Sequence, residues 1–153
     1  MKKIMIVDDN YLSAEGIEKN IDWETLNAEI IHVCYNGTSA IEAMKKEPAD
    51  LIISDIEMPD LDGISMSRQA LEINPMVKII LISAYDKFEY ARRALLLGAL
   101  DYIEKPLDYA YLIQKVKNAF ALMEKEQKNL QLLKQSRLLF LTEISRDHTP
   151  SVF

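Results

Sequence analysis

The sequence predicts an α/β fold, a doubly wound five-stranded parallel sheet with a C-terminal helical extension. Five short apolar runs, IMIV, EIIHVC, LIIS, KIILI and DYIE, alternate with five segments of helical periodicity at about 20 to 25 residues per unit. The runs are continuous rather than alternating, the pattern of strands buried on both faces. Connections of that length have room for a crossover helix, and right-handed crossovers put helices on both sides of the sheet.

Residues 3–7 form the first strand, and Asn10, after Asp8 and Asp9, is the expected N-cap of a helix reaching about Asn20, with Leu12, Ala14 and Ile17 on its inner face. After the connection around Asp22 and Trp23, residues 29–34 form the second strand. Asn36-Gly37 turns the chain, and Thr38 or Ser39 opens a helix with Ala40, Ile41, Ala43 and Met44 inwards, which Pro48 ends. Residues 51–54 are the third strand; Pro59 stiffens the loop after it and Asp62-Gly63 turns that loop into a helix over 64–73, bounded by Asn74-Pro75. Residues 77–82 and 101–104 are the fourth and fifth strands, with a helix over 88–97 between them that Gly98 caps. Pro106 breaks the last strand, and the fifth helix starts near Asp108.

From Leu107 to Thr149 there is no glycine or proline, so the fifth helix is expected to run past the domain. Heptad spacing gives Met123, Leu130 and Ile144 one position, interrupted by Arg137, and Leu133 and Phe140 the next, interrupted by Glu126. A dimerising or signal-carrying helix and a helix packed on its own domain both fit this pattern. The expected division is a domain over 1–120, an extended helix or coiled-coil linker over 121–147 and a disordered tail over 148–153.

At 153 residues and 49% hydrophobic content, the chain supports one core. Its sole cysteine, Cys34, lies in an apolar run and reads as a packed residue, which excludes a disulfide framework. The N-terminal apolar run stops at Val7, short of a signal-peptide core, and no stretch approaches a membrane span, so the expected location is cytoplasmic with no membrane partner. Net charge is −6: residues 1 to 117 hold 13 Lys and Arg against 20 Asp and Glu, residues 118 to 153 hold 5 against 4. An acidic globule is a poor partner for phosphate backbones, so no direct nucleic-acid binding is expected. The four glycines form neither a phosphate loop nor a dinucleotide fingerprint.

Asp8, Asp9, Asp55, Ser83 and Lys105 all fall at predicted carboxyl ends of strands, where ligand sites of such sheets lie. Two like charges about 4 Å apart repel by roughly 4 kcal/mol at an effective dielectric of 20, so three grouped acids call for a cation. Oxygen-only donors suit Mg²⁺, or Mn²⁺ in its place, better than zinc, and His32 and His148 are poorly placed to contribute. The same edge could receive a phosphoryl group: Lys105 neutralising its oxygens, Ser83 donating a hydrogen bond, Asp55 attacking phosphorus. The simpler readings are that Asp8, Asp9 and Asp55 cap helices or loops, Ser83 caps a turn and Tyr102 packs in the core. Asp60 and Asp62 read as turn formers rather than ligands.

With IMIVDDN, LIISDIEMPDLDG, IILISAYD and DYIEKPLD in this order and spacing, the chain resembles the response-regulator receiver domain of bacterial two-component signalling over about residues 1–120. The resemblance implies a flavodoxin-like strand order 2-1-3-4-5. It further implies that Asp55 accepts phosphate from a sensor histidine kinase, that Asp9, Asp55 and the backbone carbonyl of Glu57 ligate Mg²⁺ with Asp8 acting mainly through water, and that Lys105 binds the phosphoryl group. Ser83 would be the switch hydroxyl, where the family more often has threonine, and Tyr102 the switch aromatic. The Lys105–Pro106 bond would be cis, Ala84 would leave room for phosphate, and the Glu57 side chain would tune dephosphorylation. On this resemblance the protein is a signalling phosphoacceptor and not an enzyme, its only chemistry being self-phosphorylation and autodephosphorylation.

IDWETLNAEI and SAYDKFEYARRALLLGALDYIEKPLD are most similar to receivers joined to an AraC-type helix-turn-helix output that controls transcription. No such output fits in the residues that follow, so the expectation is a truncated regulator, with a stand-alone receiver as the alternative. Six of the twelve aromatic residues, Tyr85, Phe88, Tyr90, Tyr102, Tyr109 and Tyr111, lie between 85 and 111. The face of the fourth helix, fifth strand and fifth helix is therefore the expected output or homodimer surface, with the C-terminal helix as a further one. Two other functions compete: a phosphate-independent pseudo-receiver acting as a dimerisation module, and a metal-dependent phosphatase with Glu57 as general acid, which would need a substrate cap domain.

Overall fold

Chain segments that are apolar on both faces become the middle of the sheet, and the observed order bears this out. The computed structural model describes residues 1–84, 88–99 and 101–147, and for 88, 90, 91, 95, 146 and 147 the backbone alone. Strands β1 (Lys2–Val7), β2 (Ala28–Cys34), β3 (Leu51–Asp55), β4 (Lys78–Ser83) and β5 (Asp101–Glu104) form one parallel sheet in the order β2-β1-β3-β4-β5. β3 is buried at every position, and β1 and β4 are buried after their first residues. Edge strand β2 is half-exposed along most of its length. β3 and β4 each run one residue past the expected end. Asp55 and Ser83 are therefore the last rungs of the ladder, opposite Ile82 and Glu104, and the pleat fixes which way their side chains leave the sheet.

Helices α1 (Tyr11–Asn20), α2 (Gly37–Lys46), α3 (Gly63–Ile73), α4 (Phe88–Leu97) and α5 (Tyr109–Asp147) fill the connections. Met5, Val7, Ile52, Ile79 and Leu81 pack with Ala40, Ile41 and Met44 of α2, Ile64, Met66 and Ala70 of α3 and Ala94 of α4. Alternation sends Ile4, Ile6, Leu51, Ile53, Ile80 and Ile82 to the other face, where Ala14 and Ile17 of α1 and Leu112, Val116 and Ala119 of α5 are also buried. Asn10 caps α1 as expected, accepting from the amides of Leu12 and Ser13, and Gly98 has the positive φ, 96°, that ends α4.

One face assignment is corrected. Leu12 is 80% exposed, because residues two apart on a helix point about 200° from each other and Ala14 and Ile17 set the inner arc. Ala43, half-buried, packs against the core beside Ala40, Ile41 and Met44 as expected. Of the six aromatic residues between 85 and 111, the three whose side chains are described do not gather. Tyr102 packs beside the core of α2, α3 and α4, Tyr109 places its hydroxyl where a Cβ at Gly16 would stand, and Tyr111 is exposed. Tyr85, the side chains of Phe88 and Tyr90, and residues 148–153 with the expected disordered tail lie outside the described residues.

The chain divides into two units, Met1–Ala119 and Phe120–Phe153. The second, described by itself, is helical through Asp147 and exposes Leu130, Leu133 and Phe140 of the heptad pattern.

The start of α3 is where the backbone comes closest to the end of β3. The Gly63 amide donates to the Ile56 carbonyl at 2.8 Å, and a Cβ on Gly63 would collide with the Asp55 carbonyl oxygen and stand 2.9 Å from the Ile56 Cα. Both obstacles are backbone and cannot rotate away. Gly63→Ala is expected to cost about 1 to 3 kcal/mol in urea denaturation.

Candidate functional site

Strand order reverses at β1, so the carboxyl ends of β1 and β3 frame a crevice. Asp8 follows β1 directly. Its amide donates to the Cys34 carbonyl at 3.0 Å, and its Oδ1 accepts the Asn10 amide at 2.9 Å. Asp55 ends β3, and its Oδ1 accepts the Glu57 amide at 3.4 Å. One carboxylate oxygen from each of Asp8, Asp9 and Asp55 lies within 4.8 Å of the others. Asp8 and Asp55 are buried, while Asp9 is open to solvent.

Lys105 comes to the same place from the end of β5. Its amide donates to the Ser83 carbonyl at 2.8 Å, which ties the ends of β4 and β5 together, and the Lys105–Pro106 bond is cis. Its Nζ stands 3.1 Å from Asp55 Oδ2 and 3.8 Å from Asp8 Oδ2. Ser83 is fully buried, and its hydroxyl donates to Glu57 Oε1 at 3.5 Å. Asp9, Asn10, Asp55, Glu57, Ala84 and Lys105 line an open cleft of about 380 Å³ above these groups.

Burial pushes the Asp8 carboxyl up to about 6; the Asn10 amide opposes this, the charge of Asp55 adds to it, and the charge of Lys105 recovers less. Burial also works against the Lys105 ammonium, but the hydrogen bond to Asp55 and the charges of Asp55, Asp8 and Asp9 outweigh it and raise its pKa. Lys105 is therefore charged across the physiological range, and one ammonium faces three acids. That donor set fits a hard divalent cation: oxygen ligands only, a deficit of positive charge, and an open side where water can complete the shell. His32 is engaged elsewhere, with Nε2 2.9 Å from the Glu47 carbonyl.

Of the residues singled out in the sequence, Asp8, Asp9, Asp55 and Lys105 converge, and Glu57 and Ser83 meet each other at the rim. Tyr102 is not among the residues lining the cleft; it sits in β5 opposite Leu81, half-buried. Asp62 caps α3, its Oδ1 accepting from Ile64 and Ser65 at 2.9 Å each. Asp60 does more than form a turn. Its carboxylate accepts from the amides of Gly37 at 3.3 Å and Thr38 at 3.1 Å, the first of α2. The sequence hint was slight: the opening amides of a helix have no intrahelical acceptor, and the Asn36 side chain serves Ser39 alone. Asn10 was read as a cap and is also part of the cleft wall.

A family model described as "Response regulator receiver domain" matches residues 4–117. The transcriptional regulatory protein YesN of Bacillus subtilis is 29% identical over 126 residues, 82% of this chain and 34% of that protein. The transcriptional regulatory protein HptR of Staphylococcus aureus is 30% identical over 112 residues, 73% of this chain and 44% of that protein. The chain thus spans between a third and a half of the length of these curated relatives. Among solved structures, the REC domain of AraT, a response regulator from Geobacillus stearothermophilus, superposes with a TM-score of 0.78 at 34% identity, covering 82% of this chain and 98% of that one. A two component transcriptional regulator AraC from Clostridium phytofermentans gives 0.77 at 31% identity, covering 83% and 98%.

An acid whose folded-state pKa lies above its unfolded value binds its proton more tightly when folded, so its ionisation destabilises the fold. For Asp8 the window runs from the ordinary 3.8 to about 6. In chelator, the stability advantage of Asp8→Asn over wild type is expected to grow by on the order of 2 to 3 kcal/mol as pH rises through that window, and then to level off. Urea denaturation of both proteins at a series of pH values measures it; parallel profiles would contradict the burial argument.

Proposed function

The chain belongs to the response regulator receiver family of two-component signalling, and on that premise we propose that Asp55 takes a phosphoryl group from a sensor histidine kinase and that this state controls an output, transcription. The observation that carries the proposal is the convergence of Asp8, Asp9 and Asp55 with the Lys105 ammonium 3.1 Å from Asp55, beside an open cleft.

Asp8, Asp9, Asp55 and the backbone carbonyl of Glu57 would hold Mg²⁺, or Mn²⁺ in its place. When bound, the cation supplies the positive charge that lets phosphoryl oxygens approach a cluster of acids. Asp55 is the nucleophile: a carboxylate oxygen forms the new bond to phosphorus as the bond from phosphorus to the kinase imidazole breaks, its electron pair leaving on the imidazole nitrogen. Lys105 remains an ammonium and neutralises a phosphoryl oxygen. Ala84 leaves the approach open. Water attacking the acyl phosphate would return Asp55 and inorganic phosphate, a rate that Glu57, which lines the cleft, would tune.

Signalling follows as a population shift. The phosphoryl group offers the Ser83 hydroxyl a stronger acceptor than Glu57, and Ser83 moves to it. Tyr102, two residues before Glu104, the ladder partner of Ser83, turns inwards and alters the face of α4, β5 and α5. A homodimer through that face or through the C-terminal helix, whose leucines are exposed, would carry the change to an output.

Intact mass after incubation with acetyl phosphate tests the first step. Wild type with Mg²⁺ is expected to gain one phosphate, and the adduct is expected to be absent in chelator and in Asp55→Asn. An equal adduct on Asp55→Asn would remove Asp55 from the role. No adduct on wild type under any condition would favour a phosphate-independent interaction module.

A further inference from the structure

We propose that Asp60 is a positioning residue for the cation: by pinning the tip of the β3–α3 loop to the first turn of α2, it orients the Glu57 backbone carbonyl. This rests on the proposed site, in which that carbonyl is a ligand.

The loop is fixed at its base. The Ile56 amide donates to the Ile82 carbonyl at 2.9 Å, the Gly63 amide donates back to the Ile56 carbonyl at 2.8 Å, and Asp62 caps α3. It is fixed again at its tip. The Asp60 carboxylate takes the amides of Gly37 and Thr38, and its carboxyl is held well below the usual range, the Thr38 hydroxyl contributing most and these amides adding to it. Opening amides of a helix carry partial positive charge, which suits an anionic acceptor. Beside this contact, the Leu61 carbonyl occupies the space a Cβ on Gly37 would need, so the loop lies directly on the helix.

Between base and tip lie Glu57, Met58 and Pro59. Pro59 has a fixed φ, and Met58 is buried. The three-residue span from Glu57 to Asp60 covers at most about 10 Å. A displaced tip would therefore be felt at the Glu57 peptide. Mg²⁺ demands near-octahedral oxygens at about 2.0 to 2.1 Å, so a carbonyl ligand contributes only when its peptide is held at the right angle. Residues that orient ligands from behind typically account for 10-fold to 100-fold in metal affinity. The rival role is simple capping, in which Asp60 stabilises α2 and has no bearing on the cation.

Calorimetric titration of the full chain with Mg²⁺, on wild type, Asp60→Ala, Asp60→Asn and Thr38→Val, separates the two. Asp60→Ala is expected to weaken Mg²⁺ by about 10-fold, with phosphorylation by acetyl phosphate at saturating Mg²⁺ within about twofold of wild type. Asp60→Asn keeps an oxygen acceptor without the charge and should recover most of the affinity; Thr38→Val should lie between. Asp60→Ala binding Mg²⁺ within twofold of wild type overturns the proposal, even if its melting temperature falls. So does Asp60→Asn as weak as Asp60→Ala, since charge alone would then explain the loss. Wild type that takes up no Mg²⁺ overturns the site reading, and this inference with it.

Discussion

One ammonium, Lys105, faces two buried carboxylates at the end of a parallel sheet, 3.1 Å from Asp55 and 3.8 Å from Asp8. Charges withdrawn from water lose several kcal/mol of hydration each, and an ion pair recovers that only when its geometry is held. Here the recovery is incomplete. Asp8 stays well above the ordinary carboxylate range, so the cluster as it stands is short of positive charge. A site in that condition is compatible with a hard divalent cation.

Holding such a cluster requires a stiff frame, and the sheet supplies it. β1, β3 and β4 are buried on both sides, so neither Asp8 nor Asp55 can retreat without disturbing core side chains. Asp55 and Ser83 lie in the ladder itself. The ends of the strands are cross-tied by backbone bonds, Asp8 to Cys34, Ile56 to Ile82 and Lys105 to Ser83. Side chains from three strands thus meet with little freedom in their Cα positions, which is what electrostatic preorganisation needs.

The strands were legible because burial on both faces leaves an unbroken apolar run, and the acids because each stands where such a run stops. Strand order and the cis Lys105–Pro106 bond came with the family resemblance rather than from periodicity. The exposed Leu12 was missed for a different reason. Which arc of α1 faces inwards depends on how the helix rolls on the sheet, and ten residues with two buried positions do not fix that in sequence. Asp60 was missed because its partners, Gly37 and Thr38, lie more than twenty residues away. A turn-forming aspartate and one that stitches two loops together look alike until the chain is folded.

On the proposed reading, the Ser83 hydroxyl links the resting cluster to a switch. It is fully buried, yet its acceptor, Glu57, is exposed and the contact is long at 3.5 Å. A buried hydroxyl with a weak partner moves readily to a stronger one, since charge-assisted hydrogen bonds are roughly twice as strong as neutral ones and shorten accordingly. The exposure of Glu57 lets water compete for it. On the proposed reading, a phosphoryl group on Asp55 would offer three charged acceptor oxygens beside the buried hydroxyl. The difference in acceptor quality between Glu57 and that group is the free energy available to move Ser83. Because the Ser83 carbonyl already accepts the Lys105 amide at 2.8 Å, any shift of its backbone is shared with β5 and the Tyr102 it carries. On the proposed reading, a phosphoryl group on Asp55 would act on the neighbouring strand through this backbone bond.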